Sequence, residues 1–324
     1  MLFLVRRLLL IGLVVVFVPA SQASRTGGTP VALVTAETLN RLLVVDLPSG
    51  HIRKRLRMPA DPQNVETGAR DAVVVSPRAG AVTLVGVPSL RVRKIFRGFA
   101  SPHITLVLPP PHDRLAYVTD DGRGQLVVID LQRKRVVKRI FVGLGAHHMS
   151  LSPDQRRLWI VLGERARFIA VVDTTHAARP RLLARVNARG LAHDVAFSPS
   201  GYAVWVTFDD RDAVSIFDPA TGRSRVMYHA GKPPQHIAFA SHNPYAYVTS
   251  GNDGQMRILL RQNGRLVRTV QTGYGSFNLG LSGGLIVSPS LYRGTLTELA
   301  DSGRIVFSKR VAPAARDAAI AVLP

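Results

Sequence analysis

Seven polar or ionisable residues recur at matching places along the chain, each just before a short apolar run: Asn64, His103, His148, Asp194, His236, Asn278 and Asp317. One residue earlier come Gln63, Pro102, His147, His193, Gln235, Phe277 and Arg316. Imidazole and carboxylate suit zinc, copper or a similar ion, which makes His103, His148 and His236 candidate metal ligands. The seven residues together make a candidate surface for a small ligand, a peptide or a partner protein. His193 or His236 beside Asp194 is a candidate general base, because that chemistry needs a near-neutral pKa and a fixed tautomer. A solvated channel that simply wants polar groups at its wall accounts for the same residues. Adjacent strand residues point opposite ways, so His147 and His148 are not expected to serve one site equally.

A repeat must position these residues. Apolar runs at 42–46, 82–86, 126–130, 169–173, 214–218, 256–260 and 296–299 end 40, 44, 43, 45, 42 and 39 residues apart. Each unit carries four short β-branched or alternating runs bounded by Gly, Pro, Asp and Asn, the pattern of strands. Leu47-Pro48-Ser49-Gly50, Pro219-Ala220-Thr221-Gly222 and Gln262-Asn263-Gly264 read as hairpin turns between third and fourth strands. Seven such units predict an all-β, seven-bladed β-propeller of four-stranded antiparallel blades. The first unit begins at a second strand, from Val31, and the chain ends on an inner-strand run, 317–323. The C-terminal strand is therefore predicted to complete the first blade and close the ring. The seven strand starts then meet at one mouth of the central channel, beside the loops holding Asp120-Asp121, Asp209-Asp210-Arg211-Asp212 and Asn252-Asp253. Five of the ten His residues gather there.

Ala116-Tyr117-Val118-Thr119-Asp120, Trp205-Val206-Thr207 and Ala246-Tyr247-Val248-Thr249-Ser250 resemble the repeat of the YVTN-repeat (YncE-like) family of exported propellers. Ser152-Pro153-Asp154 and Ser198-Pro199-Ser200-Gly201 resemble that family's SPDG turn. The resemblance covers residues 30–324 and departs in the second unit, at Asn64-Val65-Glu66, and in the seventh, at 280–284. It implies a binding protein, with related propellers acting as lactonases, lyases or redox-enzyme domains. Fold alone does not settle which.

Other chemistries are excluded or disfavoured by composition. Without cysteine, disulfides, iron–sulfur clusters, thiol catalysis and Cys-ligated zinc are ruled out. Gly280-Leu281-Ser282-Gly283-Gly284 matches G-x-S-x-G, but a nucleophile elbow needs a strand-to-helix turn and a hairpin is expected here. No P-loop, H-E-x-x-H, dinucleotide fingerprint or EF-hand loop occurs. Trp159 and Trp205 fall in equivalent second strands and read as blade core. No motif requires a cofactor, and a divalent metal at the mouth is the one candidate.

The N-terminus has Arg6-Arg7, an apolar stretch from Leu8 to Val18 and small residues up to Ala23, the pattern of an export signal. The domain reading is a signal peptide over 1–23, a linker over 24–30 and the propeller over 31–324. It implies a secreted, periplasmic or envelope-associated protein with no membrane span after signal removal, and a monomer. The net charge of +21 comes from 42 Lys and Arg against 21 Asp and Glu. Much of it lies in the fourth strands, as at Arg53-Lys54-Arg55 and Arg133-Lys134-Arg135. Charged outer edges block edge-to-edge pairing, and they could also attract anionic envelope polymers. Nucleic acid is not an expected partner, because the charge circles the rim instead of lining one groove. Three functions follow: a binding protein using the His/Asp mouth, an enzyme of lactone-hydrolase or lyase type using a mouth His with or without a metal, and a scaffold using the basic rim.

Overall fold

The computed structural model describes residues 28–163 and 167–324. The signal-peptide reading of 1–23 lies outside the described residues. Every regular element described is a strand, apart from two single-turn 3₁₀ helices at Glu37–Leu39 and Asp121–Arg123. No described helix is long and apolar enough to cross a membrane.

The strands form seven separate four-stranded antiparallel sheets, each a blade running from the channel outward. Blade 3 shows the plan: Pro102–Val107 is innermost, followed by Leu115–Asp120, Gln125–Asp130 and the outer strand Arg135–Phe141. Second and third strands are almost wholly buried because neighbouring blades cover both their faces. The burial is shared across seams. Trp159 of blade 4 packs with Val195 and Phe197 of blade 5, while Trp205 of blade 5 packs with Ile237 and Ala246 of blade 6. Both indoles are 1% exposed, so truncating either to Ala costs about 3–5 kcal/mol.

The ring closes as the chain ends require. Ala318–Leu323 is the inner strand of blade 1 and pairs antiparallel with Thr29–Ala36, in the register Ala318↔Val34 to Leu323↔Thr29. In every blade the third-to-fourth pairing carries a register shift near the turn. Such bulges twist the exposed edge strand away from flat pairing, reinforcing the block set by its Arg and Lys residues. The G-x-S-x-G segment is a tight hairpin between Gly280–Ser282 and Leu285–Pro289, with Gly283 and Gly284 at φ 57° and 81°. That two-residue turn demands positive φ at both positions and has no elbow geometry.

Candidate functional site

The mouth is built by a bulge at the start of the inner strands. In blade 4, His147 N–H donates to the Val161 carbonyl oxygen (2.9 Å) and Val161 N–H donates to the His148 carbonyl oxygen (3.0 Å). Two residues thus oppose one. Gln235 and His236 oppose Thr249 in the same way, as Arg316 and Asp317 oppose Thr35. Register shifts place His103 and Ile104 opposite Thr119, and His193 and Asp194 opposite Thr207.

The threonine of the repeat motif holds this bulge in place. Thr119, Thr207 and Thr249 accept the N–H of Ile104, Asp194 and His236 on their hydroxyls at 3.0–3.1 Å. Thr207 donates the same hydroxyl onward to the Gln235 carbonyl oxygen of the next blade (2.6 Å), and Thr249 to that of Phe277. One side chain therefore seals the bulge and joins it to the adjoining blade.

Two sequence expectations are corrected by the bulge. His103 does not align with His148 and His236. It occupies the first bulge position together with His147 and His193, and apolar Ile104 takes the second position in blade 3. His147 and His148 do serve one site, because strict alternation of side chains begins only where regular pairing starts, at Met149.

The five imidazoles crowd together. His103 and His147 stack with ring centroids 3.6 Å apart, His147 meets His148 at 4.6 Å, and His148 meets His236 at 4.4 Å and His193 at 4.9 Å. Two sets of three, His103–His147–His148 and His148–His193–His236, each bring one ligand atom per ring within 4.8 Å of the others. His148 belongs to both. The rings line a cavity of about 350 Å³ that also meets Asp209, Tyr292 and Arg316. A second cavity of about 400 Å³ continues down the channel past Glu66, Asp194 and Asp317. Asn64, Ile104, His148, His236 and Asn278 border both, so they form the neck between mouth and channel.

Four of the five rings set Nδ1 toward an oxygen. His148 Nδ1 lies 2.9 Å from the His193 carbonyl oxygen, and His193 Nδ1 lies 3.1 Å from Asp209 Oδ1. His236 Nδ1 is 3.5 Å from Asp194 Oδ2, and His147 Nδ1 is 3.7 Å from Asp121 Oδ2. In His148 and His193, where the contact is a hydrogen bond, a proton held at Nδ1 leaves Nε2 as the lone-pair nitrogen. Burial, then the neighbouring imidazoles, keep His103 and His148 well below the usual His range. Burial also lowers His147, although Asp121 opposes it. Burial resists ionisation of Asp209, but the hydrogen bond and charge from His193 outweigh it and lower its pKa. His103, His147 and His148 are thus held toward the neutral form with a lone pair available, and carboxylates stand beside His147, His193 and His236.

The remaining sequence candidates hold blades together. Asp194 accepts Val195 N–H (2.8 Å) and, across the seam, Ile237 N–H (3.0 Å). Asp317 accepts Val65 N–H and the Asn64 side-chain amide, while Asn64 accepts Thr105 N–H. Asn278 donates to the Arg316 carbonyl oxygen at 2.7 Å. Asn64 and Asn278 still line the mouth, whereas Asp194 and Asp317 line only the channel beneath. His193 is backed by Asp209 instead of Asp194. Asp209 and Asp121 were visible in the sequence as loop carboxylates, but nothing there pairs either with a particular His. Tyr292, edge-on to Phe277 and tilted against Tyr274 at the rim, had no sequence signal.

No family model matches the chain, and no curated protein matches it in sequence. Solved structures do share its fold. A functionally unknown protein from Desulfotomaculum acetoxidans superposes with a TM-score of 0.76 at 14% identity, covering 90% of this chain and 98% of that one. Apo AztD from Citrobacter koseri gives 0.71 at 11% identity, with coverage of 91% and 98%. Kuenenia stuttgartiensis hydrazine synthase gives 0.69 at 17%, with coverage of 83% and 91%. The chain is a seven-bladed β-propeller.

Proposed function

We propose that this chain is an exported binding protein of the YVTN-repeat kind that holds a divalent transition-metal ion, zinc foremost, at the histidine mouth. The reading rests on one observation: five imidazoles form two three-His sets that share His148, with hydrogen-bonded oxygens behind His148 and His193 and carboxylates facing His147 and His236. Oxygen partners behind a ligating imidazole fix its tautomer and raise its basicity. Three His ligands leave a fourth position of a tetrahedral zinc ion open to water or an exchanging ligand. Zn–N bonds of about 2.0–2.1 Å require ligand nitrogens about 3.3 Å apart, so each set closes by small ring movements. An open position and solvent access suit reversible capture better than a permanent structural ion. The apo designation of the AztD neighbour fits a propeller that binds something.

A catalytic reading, a hydrolase or lyase, has the His193–Asp209 pair in its favour, a general base with its orienting carboxylate at 3.1 Å. The two readings separate on one preparation. Zinc titrated calorimetrically into metal-stripped protein is expected to bind one ion per chain, and His148→Ala to weaken it by at least about 100-fold. Unchanged binding in His148→Ala overturns the metal reading. Lactone turnover lost in His193→Ala would favour the enzyme.

A further inference from the structure

A further cavity with a different chemistry lies on the rim, away from both the mouth and the channel. It is a groove of about 800 Å³ between the outer parts of blades 3 and 4. Its walls carry Arg114, Arg133, Arg135, Lys138, Arg179 and Arg181, against the single carboxylate of Asp130. Strand register places it at the end of the blades opposite the histidines. Asp130 pairs with Leu115 and with Arg135 at that end, whereas Gln125 pairs with Asp120 at the mouth end.

The carboxylates nearby are already engaged. Asp130 accepts Arg133 N–H at 2.7 Å and its guanidinium at 3.2 Å. Asp173 takes Arg181 at 3.3 Å and Arg157 at 3.7 Å. Arg114, Arg135, Lys138 and Arg179 have no carboxylate partner and donate no side-chain hydrogen bond among the described residues. Four cations are thus left facing one groove. The floor is apolar, made by Val137, Ile140 and buried Pro180. The groove is also fixed in shape. The buried Tyr117 hydroxyl of blade 3 donates to the Ala177 carbonyl oxygen of blade 4 (2.8 Å), next to Ala178 and Arg179 in the wall.

We propose that this groove binds an anion carrying two or more phosphoryl groups, independently of the metal site. Guanidinium forks match phosphate oxygens in bidentate fashion, and the lysine adds a compact charge. Each phosphate monoester brings about −1.5 to −2 at neutral pH, so two of them balance the four unmatched cations. Monoanionic carboxylates or sulfate esters would need four groups in the same space. The phosphoryl groups can come from a soluble polyphosphate or from lipid headgroups that end in a phosphomonoester, each carrying the same charge of about −1.5 to −2. Either fits the basic rim, and they differ in what the apolar floor touches.

The test uses the chain without its leader and inorganic tripolyphosphate in about 0.15 M salt, where loosely held surface ions are screened. Arg114→Gln, Arg135→Gln, Lys138→Gln and Arg179→Gln are combined in one variant. A control removes four exposed charges elsewhere on the rim, Lys54→Gln, Arg55→Gln, Arg91→Gln and Lys94→Gln. Tripolyphosphate binding is expected to weaken at least tenfold in the groove variant, and by less than about twofold in the control and in His148→Ala. Equal losses in groove variant and control, or no binding by the unmodified chain to either probe, overturns the proposal. Co-sedimentation with vesicles containing phosphatidic acid, a phosphomonoester lipid, identifies the source. Groove-dependent vesicle binding supports headgroups, and groove-dependent binding of tripolyphosphate alone supports a soluble anion.

Discussion

His148 Nδ1 lies 2.9 Å from the carbonyl oxygen of His193, across the seam between blades 4 and 5. That hydrogen bond commits the Nδ1 proton, so the most buried imidazole of the cluster presents its lone pair at Nε2. It also makes the two three-His sets one structure, since His148 is their common member. Losing His148 breaks both sets, whereas losing His103 leaves His148, His193 and His236 intact. His103→Ala is therefore expected to cost less than about tenfold in zinc affinity, against at least about 100-fold for His148→Ala, by competition with a chromophoric chelator. Equal costs would show that the sets do not share a ligand.

Thr207→Val tests the device that holds the mouth open. Valine keeps the shape but leaves Asp194 N–H and the Gln235 carbonyl oxygen without their hydroxyl partner. A loss of about 1–3 kcal/mol is expected in urea unfolding, with zinc affinity lowered as well. Thr207→Ser, which keeps the hydroxyl, should recover most of both.

Acid should destabilise the metal-free protein through the histidines. His103, His147 and His148 are held below 6.5 in the fold, so the unfolded chain binds protons first as pH falls. Their contribution is complete above about pH 6.5, the ordinary His value, and is lost as pH drops below it. Melting temperature compared between pH 7.5 and pH 5 should fall, and fall less in His148→Asn.

Glu66 works in the opposite direction. Burial in the channel, then the charge of Asp317, raise its pKa to about 8 from the ordinary 4.5. Between those values the folded state holds a proton that the unfolded chain has released, so stability declines as pH rises toward 8. Glu66→Gln lacks this titration. Its urea midpoint relative to the unmodified chain should rise from pH 5 to pH 8.5, and a constant difference would refute the assignment.

Removing 315–324 should open the ring. Thr35 N–H and Val34 lose their partners at Asp317 and Ala318, and an apolar face of blade 1 becomes exposed. The truncated chain is expected to aggregate or bind a hydrophobic dye. Equal heat stability would contradict the closed ring.

Much of the fold was legible because blade geometry imposes a local, periodic pattern. The run ending at Asp130 becomes the strand Gln125–Asp130, and the run from Ala318 becomes the closing inner strand. The histidine cluster was legible as a group of five at one mouth. Its internal order was not. Whether His103 or Ile104 occupies the second bulge position depends on one inserted residue in the pairing with Thr119, and no pattern of residue types marks that insertion. Asp209 could be placed near the mouth, but its pairing with His193 at 3.1 Å depends on loop shape.

The sequence by itself determined the number of blades, the strand that closes the ring and the residue types at the mouth. These follow from a repeat near forty residues and from where apolar runs begin and end. Tertiary structure alone decided which nitrogens converge, which carboxylates are consumed as blade clips and which rim cations are left unmatched. Those outcomes are set by hydrogen bonds and ion pairs across seams, between residues tens to hundreds of positions apart, as Asn64 and Asp317 are. Local periodicity carries no information about them.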